Sequence, residues 1–481
     1  MSAMGLPLYT FGPSYALPLP LSAFLWAGAA VVGISFIMMT VFAGHRTGPS
    51  AIRYASREVG VLGWAPGSHW LHVVGGAIGL IGLVTVIITG LLGPTEPEQN
   101  LAIYLTWIYF WAGMAVLTGL VGPLWDAINP FKALYDLTAR FWPVTSAAAA
   151  DAEAAPAETA TAAKDAAAPA DSLAHLGVWP AVGLFFLFGL CDVTGVSTSR
   201  PWAMALLALA YTAFTVFGMR RYGARPWLAH VEFFSVLFTI LRRFAPIDIR
   251  DGKFYLRPVG AGLLDPLDAG WDWVLFVILM LSTLAFDAIL TTSVWDAVVK
   301  FTGPVWGPLG TIFGLHLLRG LGFVALTLIF LIAFIVCMEL VIYFATIQVD
   351  GLATATTFAL TLVPIAFVYN FAHNYAPLVV QSQQVIPLLA DPFGRGWHLL
   401  PTSGYQASAL LAPAAVVWYL QVVLIVTGHV IAMWLAHLRA GERFRAAQSV
   451  LLSQYPILVL MVLYTMTSLW ILAQPVTQGQ H

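Results

Sequence analysis

The feature that most constrains this chain is the recurrence of apolar stretches long enough to cross a lipid bilayer. A spanning helix needs about 20 predominantly apolar residues. The sequence offers ten such stretches, at 20–43, 70–92, 101–122, 173–193, 202–220, 272–293, 317–346, 355–373, 408–437 and 449–473. Only 9% of its 481 residues are charged, against roughly 25% in an ordinary soluble chain, so a water-covered globule is excluded. The 30 Phe, 18 Trp and 16 Tyr suit a surface that meets lipid headgroups. A formal charge of -2 leaves no basic footprint for nucleic acid. The reading is an all-α polytopic membrane protein of about ten transmembrane helices, with the lipid bilayer as its first partner. Residues 1–19 hold no positive charge, and Pro7, Pro13 and Pro18 interrupt any signal-peptide core. The first span is therefore expected to be retained.

Lys and Arg concentrate in loops on the cytoplasmic side. With the N-terminus outside, 17 of the 21 basic residues fall inside, and only Arg200, Lys300, Arg319 and Arg395 remain outside. The expected setting is the bacterial cytoplasmic (inner) membrane with both termini periplasmic.

Four segments follow from the pattern. Residues 1–144 form an N-terminal membrane segment, and 145–172 form an Ala-rich linker with 15 Ala in 28 residues. Lacking an apolar face, that linker reads as a disordered cytoplasmic loop. Residues 173–270 and 271–481 carry the remaining spans. Shifting the chain by 103 residues lays Pro123–Val144 over Pro226–Ile247. Pro123, Phe131, Leu134, Arg140, Phe141 and Pro143 then meet identical residues, which points to a parallel internal repeat in the first half. Each copy ends in a short amphipathic helix. It either lies in the inner lipid interface, with Lys132, Arg140, Arg242 and Arg243 facing headgroups, or packs as a connector on the span ends. The Asp251-Gly252 step between alternating apolar residues predicts a cytoplasmic β-hairpin.

Walker, dinucleotide-binding, zinc-protease and Cys-x-x-Cys motifs are missing, and Cys191 and Cys337 stand 146 residues apart. Nothing assembles an enzyme's catalytic set, so an enzyme is the less favoured class. Polar residues at membrane depth are costly and mark candidate sites. Asn370, His373 and Asn374 share a helix face. Pro377 is expected to break the helix just beyond them, and Gln381 and Gln384 follow on a segment too short to span. A re-entrant or broken helix over 376–390 results, and Asn370, His373, Asn374, Gln381 and Gln384 are candidates to bind a small solute or ion. Inter-helix amide bonding is the competing structural role. Asp287, Glu339 and Arg319 are candidates for proton or ion coupling, although Arg319 and His316 could also reach headgroups by snorkelling. His429 and His373 are candidate axial ligands of haem b.

Tyr15–Pro20, Phe234–Pro246, Ala285–Asp287, Asp391–Trp397 and the stretch from Gly428-His429 to Ala436-His437 form a recognisable set. Over most of the chain except the linker, it resembles a widespread group of multi-pass membrane proteins of bacteria and haloarchaea. That resemblance implies the membrane class and attaches no activity. The leading expectation is a secondary transporter or channel for a small solute or ion, which needs no cofactor. The alternative is a membrane-embedded subunit of a respiratory or redox complex, in contact with quinone or haem b and with other membrane subunits.

Overall fold

The computed structural model describes residues 19–42, 54–59, 69–139, 141, 173–195, 200–250, 253–267, 269–306, 311–345, 350–402, 404–444 and 446–477. The Ala-rich linker, the Asp251-Gly252 turn and both chain ends lie outside them.

The chain is an all-α polytopic membrane protein. Lipid offers no hydrogen-bond partners, so a spanning backbone closes its bonds within a helix. Nine helices among the described residues are long and apolar enough to cross. They are α1 (Leu21–Phe42), α2 (His69–Leu92), α3 (Leu101–Val121), α7 (Pro201–Tyr222), α10 (Trp271–Ile289), α12 (Thr311–Ala345), α13 (Gly351–Val379), α15 (Ala414–Arg443) and α16 (Ala447–Thr477). The tenth expected span is present as a shorter apolar helix, α6 (Trp179–Val193). Within α3, residues Leu105–Met114 wind as a π-helix.

Burial separates the helices. The most apolar window of α10 is 83% buried and that of α13 is 78% buried, whereas α1 and α2 reach 22% and 17%. The centre therefore belongs to α10 and α13, and α1 and α2 lie outermost. Small residues set the closest approaches, as expected where helices associate by packing alone. A Cβ added at Gly428 of α15 would stand 2.1 Å from Val368 Cγ2 of α13, and one at Gly119 of α3 would meet the Phe367 ring.

The short helices repeat in order. After α3 come α4 (Leu124–Ile128) and α5 (Pro130–Thr138); after α7 come α8 (Ala224–His230) and α9 (Phe233–Phe244). Asn129 accepts from the Phe131 and Lys132 amides, and Glu232 accepts from the Phe234 and Ser235 amides. Two N-caps thus stand 103 positions apart, at the same offset as the sequence repeat. Ser235 Oγ accepts from Trp125 Nε1 at 2.9 Å and Asn129 Nδ2 at 3.3 Å, tying the copies together. The interfacial reading fails for α9. Nine of its residues, from Phe233 to Phe244, are buried, and its apolar face packs on α3, α6 and α13. An amphipathic pattern reports one apolar face and does not say whether lipid or protein covers it.

The expected hairpin has strands β2 (Ile247–Arg250) and β3 (Lys253–Leu256), with Ile247 opposite Leu256. A third strand, β1 (Arg57–Glu58), pairs with β3. Buried Arg257 locks the sheet to the bundle by bonding Asp248 at 3.0 Å, Asp265 at 3.4 Å and the carbonyls of Ala245 and Arg242. Tyr54 donates to Asp265, and burial followed by that carboxylate pushes its hydroxyl pKa up.

The broken helix is present, but Pro377 does not end it. α13 runs through Pro377 to Val379, and the Val380 amide still donates to Ala376 O at 2.8 Å. A proline removes only the amide of its own residue, and the next turn can close without it. The chain then unwinds through a 3₁₀ turn (Gln381–Gln384) into α14 (Val385–Ala390). At about 9 Å long, α14 cannot span. An amphipathic helix not foreseen from the sequence, α11 (Ser293–Trp306), follows α10 and leaves Phe301 and Val305 exposed.

The loops sort to two ends. At one, Arg439 donates to Leu263 O and Arg443 to Asp350 O, near the sheet and its arginines. At the other, Gly394 packs on Pro94, so the α2–α3 turn meets the loop after α14. Replacing Gly428 with Leu should separate α13 from α15 and cost about 2 kcal/mol. The check is the thermal unfolding midpoint in detergent; an unchanged midpoint would show that these helices do not meet at Gly428.

Candidate functional site

The two most buried helices bring together an acid and an imidazole. Asp287 lies two residues before the end of α10, and His373 lies six before the end of α13. Asp287 Oδ2 stands 3.0 Å from His373 Nε2. The His373 side chain is 8% exposed and that of Asp287 is 30% exposed, so the carboxylate is the open edge of the pair. One turn back along α13, the Tyr369 ring stacks on His373 with centroids 6.2 Å apart.

Two further charges face the pair. Arg319 of α12 and Asp192 of α6 are within electrostatic reach of Asp287. Arg319 Nε is buried with no hydrogen-bond partner among the described residues. Arg319 thus turns toward the bundle, against the snorkelling alternative. Four helices each supply one ionisable group near the end opposite the basic loops. Two carboxylates, one guanidinium and one imidazole thus gather at that end of the bundle.

The remaining expected residues divide. Asn374 Nδ2 donates to both Asn370 O and Asn370 Oδ1 at 3.0 Å, so these amides first satisfy each other, while Asn370 Nδ2 stays buried without a partner among the described residues. They lie beside the pair. Gln381 and Gln384 fall in the 3₁₀ turn beyond it, and Gln381 Oε1 is buried without a partner. The strongest contacts of that turn belong to Gln383, which accepts from Tyr405 Oη at 2.7 Å and from the Ser408 amide at 3.0 Å. Gln383 fastens the broken helix to the following loop. Gln421 of α15 donates to Ala372 O at 3.2 Å, which is the inter-helix amide role. Glu339 is exposed on α12, about 30 Å from Arg319 along the helix axis. The structure does not bring it to Asp287.

The histidines do not form an opposed pair. Gln421 is level with Ala372, and His429 lies eight residues farther along α15, about 12 Å in axial rise. His429 Nδ1 is 2.8 Å from Ile425 O of its own helix, and its Nε2 is buried without a partner among the described residues. His437 faces Gln454 at 2.9 Å. Axial ligands must face each other across one porphyrin, and His373 and His429 are staggered instead. These residues do not fit haem as a shared ligand.

The sequence rule for ionisable residues at depth found Asp287, Arg319 and His373 one at a time. It applied equally to Asp192, inside the 173–193 stretch, which was passed over. The pairing across 86 positions had no sequence signal. No family model, curated protein or solved structure matches this chain.

A double-mutant cycle on Asp287→Asn and His373→Gln should show coupling of about 1 kcal/mol, below the range for a charged buried hydrogen bond because Asp287 is partly exposed. Unfolding midpoints of the four proteins measure it, and additive effects would mean that the two side chains are independent.

Proposed function

We propose that the protein is a secondary transporter of a small solute or ion in the bacterial cytoplasmic membrane, driven by protonation of the Asp287–His373 pair. The observation that carries this reading is the 3.0 Å contact between a carboxylate and an imidazole on the two most buried helices, next to a helix break. Intramembrane ionisable residues that pair with each other mark ion and proton pathways. Broken helices at depth are the usual frame for such sites. The stagger of His373 and His429 favours this reading over the redox-subunit alternative. Asn370, Asn374 and Gln381 are the nearest amides for a solute, with Arg319 as counter-charge.

The basic loops give the orientation. Arg439, Arg443 and the arginines around the sheet gather at one end, and the positive-inside rule makes that end cytoplasmic. Asp287 then opens toward the periplasm.

Two measurements check the proposal. The full chain in phosphatidylethanolamine–phosphatidylglycerol liposomes, loaded with a pH dye and given a potassium diffusion potential, should acidify faster than protein-free vesicles. Asp287→Asn and His373→Ala should each cut that flux about tenfold or more at equal insertion; full flux in both would sink the pair's role. For orientation, a C-terminal reporter active only in the periplasm should work. Activity of a cytoplasm-only reporter there would invert the topology.

A further inference from the structure

One turn toward the basic end from the Asp287–His373 pair, α10, α12, α13 and α16 line a small, partly open cavity of about 30 Å³. Its walls are mostly apolar, with Leu284 and Ala285 from α10, Phe330 from α12 and Ile365 from α13. Four hydroxyls also line it: Tyr369 from α13, and Tyr464, Thr467 and Ser468 from α16. The Tyr369 and Tyr464 hydroxyls come from different helices, and each is buried without a hydrogen-bond partner among the described residues. Tyr369 is only 5% exposed overall.

Size and chemistry together select the occupant. A site needs about 10–15 Å³ of this kind of volume per water, and each water needs two to four polar partners. The cavity therefore suits one or two waters, and the unpartnered Tyr369 and Tyr464 hydroxyls offer them partners. An organic solute does not fit. Buried hydroxyls left unmatched are costly, and water is a partner of the size this cavity admits.

Tyr369 joins the cavity to the pair: it lines the cavity and stacks its ring on His373. Leu284 and Ala285 lie three and two residues before Asp287 on the same helix. The Cys337 thiol of α12 is within electrostatic reach of Tyr464.

We infer that water in this cavity bridges Tyr369 to Tyr464 and forms the inward half of a proton path that begins at Asp287–His373. The inference rests on the transporter reading and narrows it, since the ion passing this point is a proton. Each hydroxyl or water accepts a proton on its oxygen and releases its own, so no group changes composition and no electron moves.

The test combines stability with flux. Tyr369→Phe and Tyr464→Phe should each reduce proton flux in the same liposomes about tenfold. Their unfolding midpoints should stay level or fall, because a bridged water loses a partner. Ala366→Val, which fills the cavity without touching a hydroxyl, should reduce flux as well. Full flux in the tyrosine variants beside a silent Asp287→Asn overturns the path and leaves the pair standing. A raised midpoint in both tyrosine variants means dry, unmatched hydroxyls, and it overturns the bridge whatever the flux. Wild-type vesicles that carry no more protons than empty ones overturn the transporter reading and the path with it, and the midpoints then decide the water bridge alone.

Discussion

A polar group in hydrocarbon must find its partner inside the protein, at a cost of several kcal/mol if it does not. That constraint runs through the structure at every scale. It keeps the spans helical, and it places Asn129 and Glu232 under the first amides of α5 and α9. It accounts for the way Gln383 closes the broken helix onto the 404–411 loop and for the four-way grip of Arg257 on the sheet. The Asp287–His373 contact meets the same requirement with ionisable groups.

The two N-caps show how a repeated element diverges within that constraint. Asn129 is neutral and sits under a helix whose far end leaves Leu137 and Phe141 exposed. Glu232 is wholly buried, accepts from two amides and also takes the Tyr211 hydroxyl at 2.5 Å. Burial pushes its carboxyl pKa up, while the bonds from Ser235 and Tyr211 hold it down. Both caps are buried, and the charged one, Glu232, has the larger set of donors around it.

Much of the architecture was readable from the residues because the relevant signals are local. Twenty apolar residues in a row announce a span, Asp-Gly between alternating residues announces a hairpin, and a proline after a polar helix face announces a break nearby. What escaped is what only a third dimension defines. The β1 strand is two residues that matter solely because β3 offers an open edge. The apolar face of α9 looks the same from sequence whether lipid or α13 covers it. Asp287 and His373 were each singled out for their cost at depth, and nothing in the order of residues says that they meet. Glu339 met the same criterion and stands on the exterior of α12, because a periodicity of burial is weak along a helix that is apolar all round.

The fit of Gly428 against Val368 also has a mechanical meaning. With no side chain at that point, α15 sits so deep in α13 that sliding either helix by one residue would drive a Cβ into its neighbour. The two helices are keyed together at that point. The acid of the central pair lies on α10 and the imidazole on the keyed α13, so the Asp287–His373 contact ties the keyed pair to a third helix.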